Sequence, residues 1–216
     1  MPKIFFIINP KAGTGRKDIV ETAIDTYLDR TRHEATIQYT THAGHAAEMA
    51  REMAGKTDII VAVGGDGTVN EVARSLVHTP TALGIIPAGS GNGLARHLRI
   101  PMDPAEAMKL INEACIEKLD YGRINGEAFF CTCGVGFDAF ISMKFAEAGK
   151  RGLSTYIEKT LQDGLSYRPE VYHIELDGEN ETHEAFLIAC ANASQYGNNA
   201  YIAPNASTRD GLLDVT

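Results

Sequence analysis

Asp66 stands among three glycines, in Gly64-Gly65-Asp66-Gly67-Thr68, directly after the apolar run Ile59 to Val63. Five apolar residues rich in β-branched side chains read as a strand buried on both faces. The glycines let the backbone turn sharply and come close to whatever sits above it. A helix follows, with Val69, Val72, Ala73 and Leu76 on one face. Strand, turn and helix in that order aim free backbone N–H groups outward, a natural seat for an anion. A carboxylate in the middle of such a seat has two chemical uses: it carries Mg²⁺ for bound phosphates, or it accepts a proton. The competing reading is a tight strand-to-helix turn in which Asp66 only caps.

Two further loops join this one. Pro87-Ala88-Gly89-Ser90-Gly91-Asn92-Gly93 follows the short apolar strand Leu83 to Ile86 and again opens a helix. Asn9-Pro10-Lys11-Ala12-Gly13-Thr14-Gly15 follows a first strand, Lys3 to Ile8, and could offer Asn9 and Lys11 to phosphate. Neither the P-loop nor the six-residue dinucleotide fingerprint is present. A second strand, Ala35 to Tyr39, leads into Thr40-Thr41-His42-Ala43-Gly44-His45, where Thr40 or Thr41 caps a helix or touches a nucleotide. His42 and His45 have a spacing that can bind metal. With no third ligand identified nearby, they are assigned as solvated loop histidines.

The elements that position these loops follow from periodicity. A helix over about 16–30 presents Ile19, Val20, Ala23, Ile24, Tyr27 and Leu28 inward, and Ala46, Met49, Ala50 and Met53 mark another. Asp103-Pro104-Ala105-Glu106 is a helix start with an Asp cap, Pro at the first position and Glu at the third. Parallel strands alternating with helices place such turns along one crevice at the strands' carboxyl ends. From about Lys118 the pattern changes to hairpins, 118–124 with 127–133 around Asn125-Gly126, and 171–176 with 183–193. Helices are expected over about 138–148 and 153–165, with a strand-rich tail from Tyr201. Two domains are therefore expected, α/β over residues 1–117 and a mostly antiparallel β-rich domain with inserted helices over 118–216.

Composition narrows the class. The 216 residues carry a formal charge of −8, with 44% hydrophobic and 22% charged residues. That balance is ordinary for a soluble domain and argues against a general nucleic-acid binder. No apolar run approaches the ~20 residues needed to cross a bilayer, and Met1-Pro2-Lys3 leads into a strand rather than a signal peptide. Cys115, Cys131, Cys133 and Cys190 lack zinc-ligand spacing and read as reduced, mostly buried thiols of a cytoplasmic protein. Arg96, His97 and Arg99, or Lys144, Lys150 and Arg151, are candidate contacts to anionic head groups at a membrane. Phe137, Phe140, Ile141 and Phe145 share one helix side, read as core before lipid groove.

Taken together, Asn9-Pro10-Lys11-Ala12-Gly13, Gly64 to Glu71, Pro87 to Asn92, Asp120-Tyr121-Gly122 and Asp210-Gly211-Leu212-Leu213-Asp214 resemble the bacterial lipid kinases of the diacylglycerol kinase and sphingosine kinase superfamily. The resemblance implies a three-layer α/β nucleotide-binding domain of NAD kinase type, a β-sandwich-like second domain, and ATP between them. It implies nucleotide contacts at Asn9, Thr40, Gly64, Gly65, Asp66, Gly67, Thr68, Val69, Asn70 and Ser90, to which the first loop adds Lys11 as a candidate. Asp66 and Asp120 would be the catalytic acids, joined through a water-bridged magnesium network. Asp210, with the carbonyls of Ser207 and Leu212, would hold a structural Mg²⁺. The implied activity is transfer of the ATP γ-phosphate to the hydroxyl of a diacylglycerol- or sphingoid-type lipid, by a protein in peripheral contact with a membrane and with a homodimer as one option. The alternatives are an NAD kinase-like phosphotransferase and a catalytically weak nucleotide- or lipid-binding module.

Two departures stand out. Ser90-Gly91-Asn92-Gly93 replaces the Thr-x-Asn-Asp common in diacylglycerol kinases and looks more like the sphingosine-kinase branch. Family members also run further and carry a late Asp-Gly-Glu whose Asp is the expected proton acceptor. Asp177-Gly178-Glu179 lies in a hairpin and is not that segment, so the chain is expected to be a truncated form with open sheet edges.

Overall fold

The computed structural model describes residues 1–13, 17–140, 143, 164 and 167–216. Strands β1 (Lys3–Ile8), β2 (Glu34–Tyr39), β3 (Ile59–Gly64) and β4 (Ala82–Pro87) form a parallel sheet in the order β2-β1-β3-β4. β1 and β3 occupy the centre, so both faces of each must be apolar, and Ile4 to Ile8 and Ile59 to Val63 are all buried. Side chains alternate between two cores. Phe5, Ile7, Ile60 and Ala62 pack with helices α2 (His45–Met53), α3 (Asp66–Leu76) and α4 (Gly93–His97). Ile4, Phe6, Val61 and Val63 pack with α1 (Lys17–Tyr27) and α5 (Pro104–Glu113). The result is the expected three-layer arrangement.

Local signals explain most boundaries. Asp103 caps α5 as expected, its Oδ1 accepting the N–H groups of Ala105 and Glu106. The stripe of α1 is narrower than expected. Val20, Ala23, Ile24 and Leu28 are buried, whereas Ile19 and Tyr27 are exposed. Tyr27 instead lies beneath the Lys109 ammonium, 5.6 Å from its ring centre, and so links α1 to α5. Arg16 lies outside the described residues.

Beyond α5 the strands are short and antiparallel. β5 (Gly122–Ile124) and β6 (Glu127–Phe129) pair around the expected Asn125-Gly126 turn, whose two residues both have positive φ. The strands are shorter than the expected 118–124 and 127–133, and the last residues of the latter belong to the next strand. β7 (Thr132–Gly136), β10 (Leu187–Ala191) and β11 (Asp214–Val215) form a second sheet in the order β11-β10-β7. β8 (Glu170–Leu176) and β9 (Glu179–Ala185) pair around Asp177-Gly178. The single strand expected over 183–193 is thus split between β9 and β10. The helices expected over 138–148 and 153–165 lie largely outside the described residues, as do Ile141, Lys144, Phe145, Lys150 and Arg151.

The two parts meet through buried polar groups. Asn192 Nδ2 donates to the carbonyls of Asp120 and Phe130, and His97 at the end of α4 accepts the Ser194 N–H at Nδ1, 3.1 Å away. Burial, followed by the charge of Arg99, holds His97 below the ordinary value of 6.5. The unfolded chain therefore takes up this proton first as pH falls. Neutral His97 contributes its full stability above 6.5 and loses it as pH drops through the lower folded value. Urea midpoints measured from about pH 7 to about pH 5 should fall less steeply for His97→Gln than for the parent protein.

Candidate functional site

β3 ends at Gly64 and α3 begins at Asp66, with extended Gly65 between them. The Asp66 carboxylate reaches across to the second glycine turn. Oδ1 accepts the Gly93 N–H at 2.7 Å and Oδ2 the Asn92 N–H at 2.8 Å. Asn92 is buried and left-handed, and it closes its own turn. Its Oδ1 accepts from Gly89 N at 3.0 Å while its Nδ2 donates to Gly89 O at 2.8 Å. Arg96 adds a brace from Nε to the Gly91 carbonyl at 3.0 Å. The backbones of the two turns touch: a Cβ built on Gly89 would lie 2.4 Å from Gly65 Cα. The two loops read separately in the sequence are one structural body, and Asp66 is its fastener.

The first loop joins it through side chains. Asn9 Nδ2 donates to Thr68 Oγ1 at 3.1 Å, while Asn9 Oδ1 accepts the Lys11 N–H. Thr40 N–H continues the β1–β2 ladder by donating to the Ile8 carbonyl. Asn9, Lys11, Thr40, Gly64 to Asn70 and Ser90 therefore line the carboxyl edge of one parallel sheet, where open α/β sheets take ligands. They do not contribute equally. Gly67 and Ser90 are exposed, whereas Thr68 and Val69 are buried. Val69 packs in the core and donates its N–H to Gly65 O, so its side chain faces away from the crevice.

The second part of the chain closes one side. Asn198 N donates to the Gly91 carbonyl, and Asn92 forms an isolated bridge with Gly197. Gly197 has φ +116° and a Cβ there would sit 2.6 Å from Gly91 C, so only glycine permits this approach. Cys131 donates Sγ–H to the Gln195 carbonyl. Its thiol is pushed up to about 12, first by burial and then by the charge of Asp66, which leaves it inert as a nucleophile. Tyr196 donates to Asp138 Oδ2 at 3.1 Å, and burial, then Asp138, raises its phenol. Asn92, Gly93 and Gly197 are site-building residues that motif reading did not single out. The Gly-Ser-Gly-Asn-Gly run carried a signal for the first two; Gly197 carried none.

The remaining acids gather elsewhere. Asp120 Oδ2 accepts the Gly211 N–H at 2.8 Å and its own N–H donates to Thr208 O. Asp210 Oδ1 accepts from Leu212 N at 3.1 Å, and Ser207 Oγ from Arg209 N at 3.2 Å. Asp120 is thus bound into the Ser207–Leu212 turn beside Asp210. Among the described residues it shares no hydrogen-bond partner with Asp66. Asp120 is hydrogen-bonded to the turn that carries Asp210, and neither forms an ion pair with Lys or Arg among the described residues.

Of the cationic head-group candidates, Arg96 and His97 are committed to the internal bonds above, and Arg99 is exposed. Among the described residues no helix is long and apolar enough to cross a membrane.

The comparisons agree with this geometry. Residues 3–124 match the diacylglycerol kinase catalytic domain, and residues 132–216 match the YegS C-terminal NAD kinase beta sandwich-like domain. The diacylglycerol kinase of Bacillus subtilis is 31% identical over 225 residues, spanning 100% of this chain and 73% of that protein. The Synechocystis protein sll0036 is 33% identical over 227 residues, and the match takes in 97% of this chain but about half, 52%, of that longer protein. A diacylglycerol kinase crystal structure from Bacillus anthracis superimposes with a TM-score of 0.76 at 28% identity, covering 99% of this chain and 71% of that one. A catalytic-domain match over more than half the chain, followed by its sandwich partner, makes this chain a member of the diacylglycerol kinase family of lipid kinases.

Proposed function

We propose that this chain binds ATP at the carboxyl edge of the parallel sheet and transfers its γ-phosphoryl group to the hydroxyl of a diacylglycerol- or sphingoid-type lipid. The observation that carries this reading is the fastening of two N–H-rich turns by the Asp66 carboxylate. Phosphoryl transfer depends on positioning and on charge stabilisation. Backbone N–H groups at the start of α3, with Gly67 leaving space above them, suit phosphate oxygens. Asn9, Lys11, Thr40, Asn70 and Ser90 would supply the surrounding contacts. Each Asp66 oxygen accepts one N–H and keeps lone-pair capacity for Mg²⁺ or a substrate proton.

A half-buried aromatic group supports a lipid acceptor. Phe137 packs 4.4 Å from Phe186 and 5.3 Å from Tyr167, and Phe186 remains 37% exposed. Contact with a bilayer surface follows from such an acceptor. The test is incubation with ATP, Mg²⁺ and vesicles carrying diacylglycerol, sphingoid base or ceramide, with NAD as the soluble competitor. Phosphorylation of NAD alone, or of nothing, would overturn the reading.

The Ser207–Leu212 turn fits a hard divalent ion, since its donors are all oxygen: the Asp210 and Asp120 carboxylates and the Ser207 and Leu212 carbonyls. Mg²⁺ held there would tie the turn to Asp120 and so brace the junction between the two parts. Mg²⁺ should raise the melting temperature of the parent protein, EDTA should reverse the shift, and Asp210→Ala should abolish it.

A further inference from the structure

His42, His45 and Glu48 form a second cluster of ligating groups, on the loop that follows Thr40 and the first turn of α2, made of residues that belong neither to the phosphate contacts named above nor to the acidic turn. Their candidate ligand atoms all lie within 4.8 Å of one another. The sequence suggested two histidines without a third ligand. The fold supplies it, because Glu48 follows His45 by three residues and so occupies the same face of α2.

The local geometry presents these groups together. Gly44, with φ +84°, turns the chain between the histidines, and its N–H donates to Glu71 Oε1 at 3.1 Å, fixing the loop against α3. The two imidazoles stack with centroids 4.7 Å apart and planes 14° from parallel. His42 Nδ1 lies 2.9 Å from the Ala43 carbonyl, which accepts its proton and leaves Nε2 with a lone pair. That Nε2 sits 3.9 Å from Glu48 Oε2. For His45, Thr41 Oγ1 lies 3.1 Å from Nδ1 and can take a proton there, freeing Nε2 to ligate. The Thr41 N–H bond to the same nitrogen then gives way. Glu48 opposes any phosphate at this position, so the cluster suits a cation. Two imidazoles select a transition ion over Mg²⁺ or Ca²⁺.

We propose that His42, His45 and Glu48 bind one divalent transition-metal ion of the zinc class, with water completing the coordination. The donor set, two imidazoles and a carboxylate, is one that Zn²⁺ accepts with an open position. The proposal is independent of the kinase reading, since it needs neither ATP nor lipid.

Calorimetric titration with ZnCl₂ alone, against MgCl₂ as control, tests it. One-to-one binding of Zn²⁺ that excess Mg²⁺ does not displace is expected, since Mg²⁺ taken up by the Ser207–Leu212 turn leaves the two histidines free. The double variant His42→Ala/His45→Ala, and separately Glu48→Gln, should each weaken Zn²⁺ binding at least about tenfold. Glu48 is exposed, so Glu48→Gln should leave the metal-free melting temperature unmoved, whereas the double variant also loses the exposed Thr41–His45 bond. Cys133 and Cys190 face each other across β7 and β10 and are the competing site. Replacing zinc with Co²⁺ separates the two, because only thiolate ligation gives a sulfur-to-cobalt charge-transfer band. Absence of stoichiometric zinc binding, unchanged affinity in the double variant, or a cobalt–thiolate band would each overturn the proposal.

Discussion

Asp66→Asn should lower lipid phosphorylation at saturating ATP by about 10²–10⁴-fold, the range spanned by loss of a positioned acid–base group. It should also cost about 1–3 kcal/mol of stability, because the carboxylate now accepts the Asn92 and Gly93 N–H groups. An asparagine amide turns one of those acceptors into a donor, so at least one buried N–H loses its partner. The two effects separate by measurement. If Asp66 only fastens the second glycine turn, the substitution should raise KM for ATP and lower the urea midpoint while kcat falls modestly. If its remaining lone pairs hold Mg²⁺ or take the substrate proton, kcat should fall steeply even where ATP is saturating. Unchanged kcat together with unchanged ATP affinity would remove Asp66 from the reaction. The neighbouring Cys131 thiol should stay unreactive toward alkylating agents in the parent protein, since burial is the larger cause of its raised value.

The parallel sheet was legible because both central strands are buried on two faces and read as unbroken apolar runs. The Asn125-Gly126 and Asp177-Gly178 hairpins were legible for a different reason: a two-residue turn with positive φ demands those residue types. The glycine motifs told which strand ends mattered. They did not show that Asp66 would spend both oxygens on the second turn, since a contact between residues 26 and 27 positions apart has no sequence signal. Asp120 shows the same limit. Its carboxylate accepts from Gly211, 91 residues away, and its carbonyl from Asn192, and no local pattern around Asp120 announces either partner. The α1 stripe was misread at Ile19 and Tyr27 because periodicity gives a face but not its width. Tyr27 found its place under Lys109, a contact set by helix packing. Glu48 carries no metal signal of its own in the sequence, because an acidic residue in the first turn of a helix is already accounted for by the helix dipole.

Gly89→Ala should abolish ATP binding and lower stability by an amount at the upper end of about 1–3 kcal/mol, the usual range for forcing atoms into a packed interior. The new Cβ would meet Gly65 Cα at 2.4 Å, Asn92 Oδ1 at 2.9 Å and Gly65 N at 3.3 Å. Two of these are backbone atoms of the opposing turn, which cannot swing aside as a side chain would. The turns would have to part, stretching the bonds from Asn92 and Gly93 to Asp66. Gly67→Ala supplies the contrast. Nothing lies within 4 Å of a Cβ there, and its φ is not in the left-handed region. Packing therefore gives no reason for glycine at 67, and alanine in α3 should leave stability equal or raise it by up to about 1 kcal/mol. If phosphate settles on the exposed start of α3, that same methyl group intrudes on it, and ATP affinity should fall while the melting temperature holds. Retention of full ATP affinity in Gly67→Ala would place the phosphates elsewhere, whereas loss of affinity without loss of stability is the signature of a backbone kept bare for its ligand.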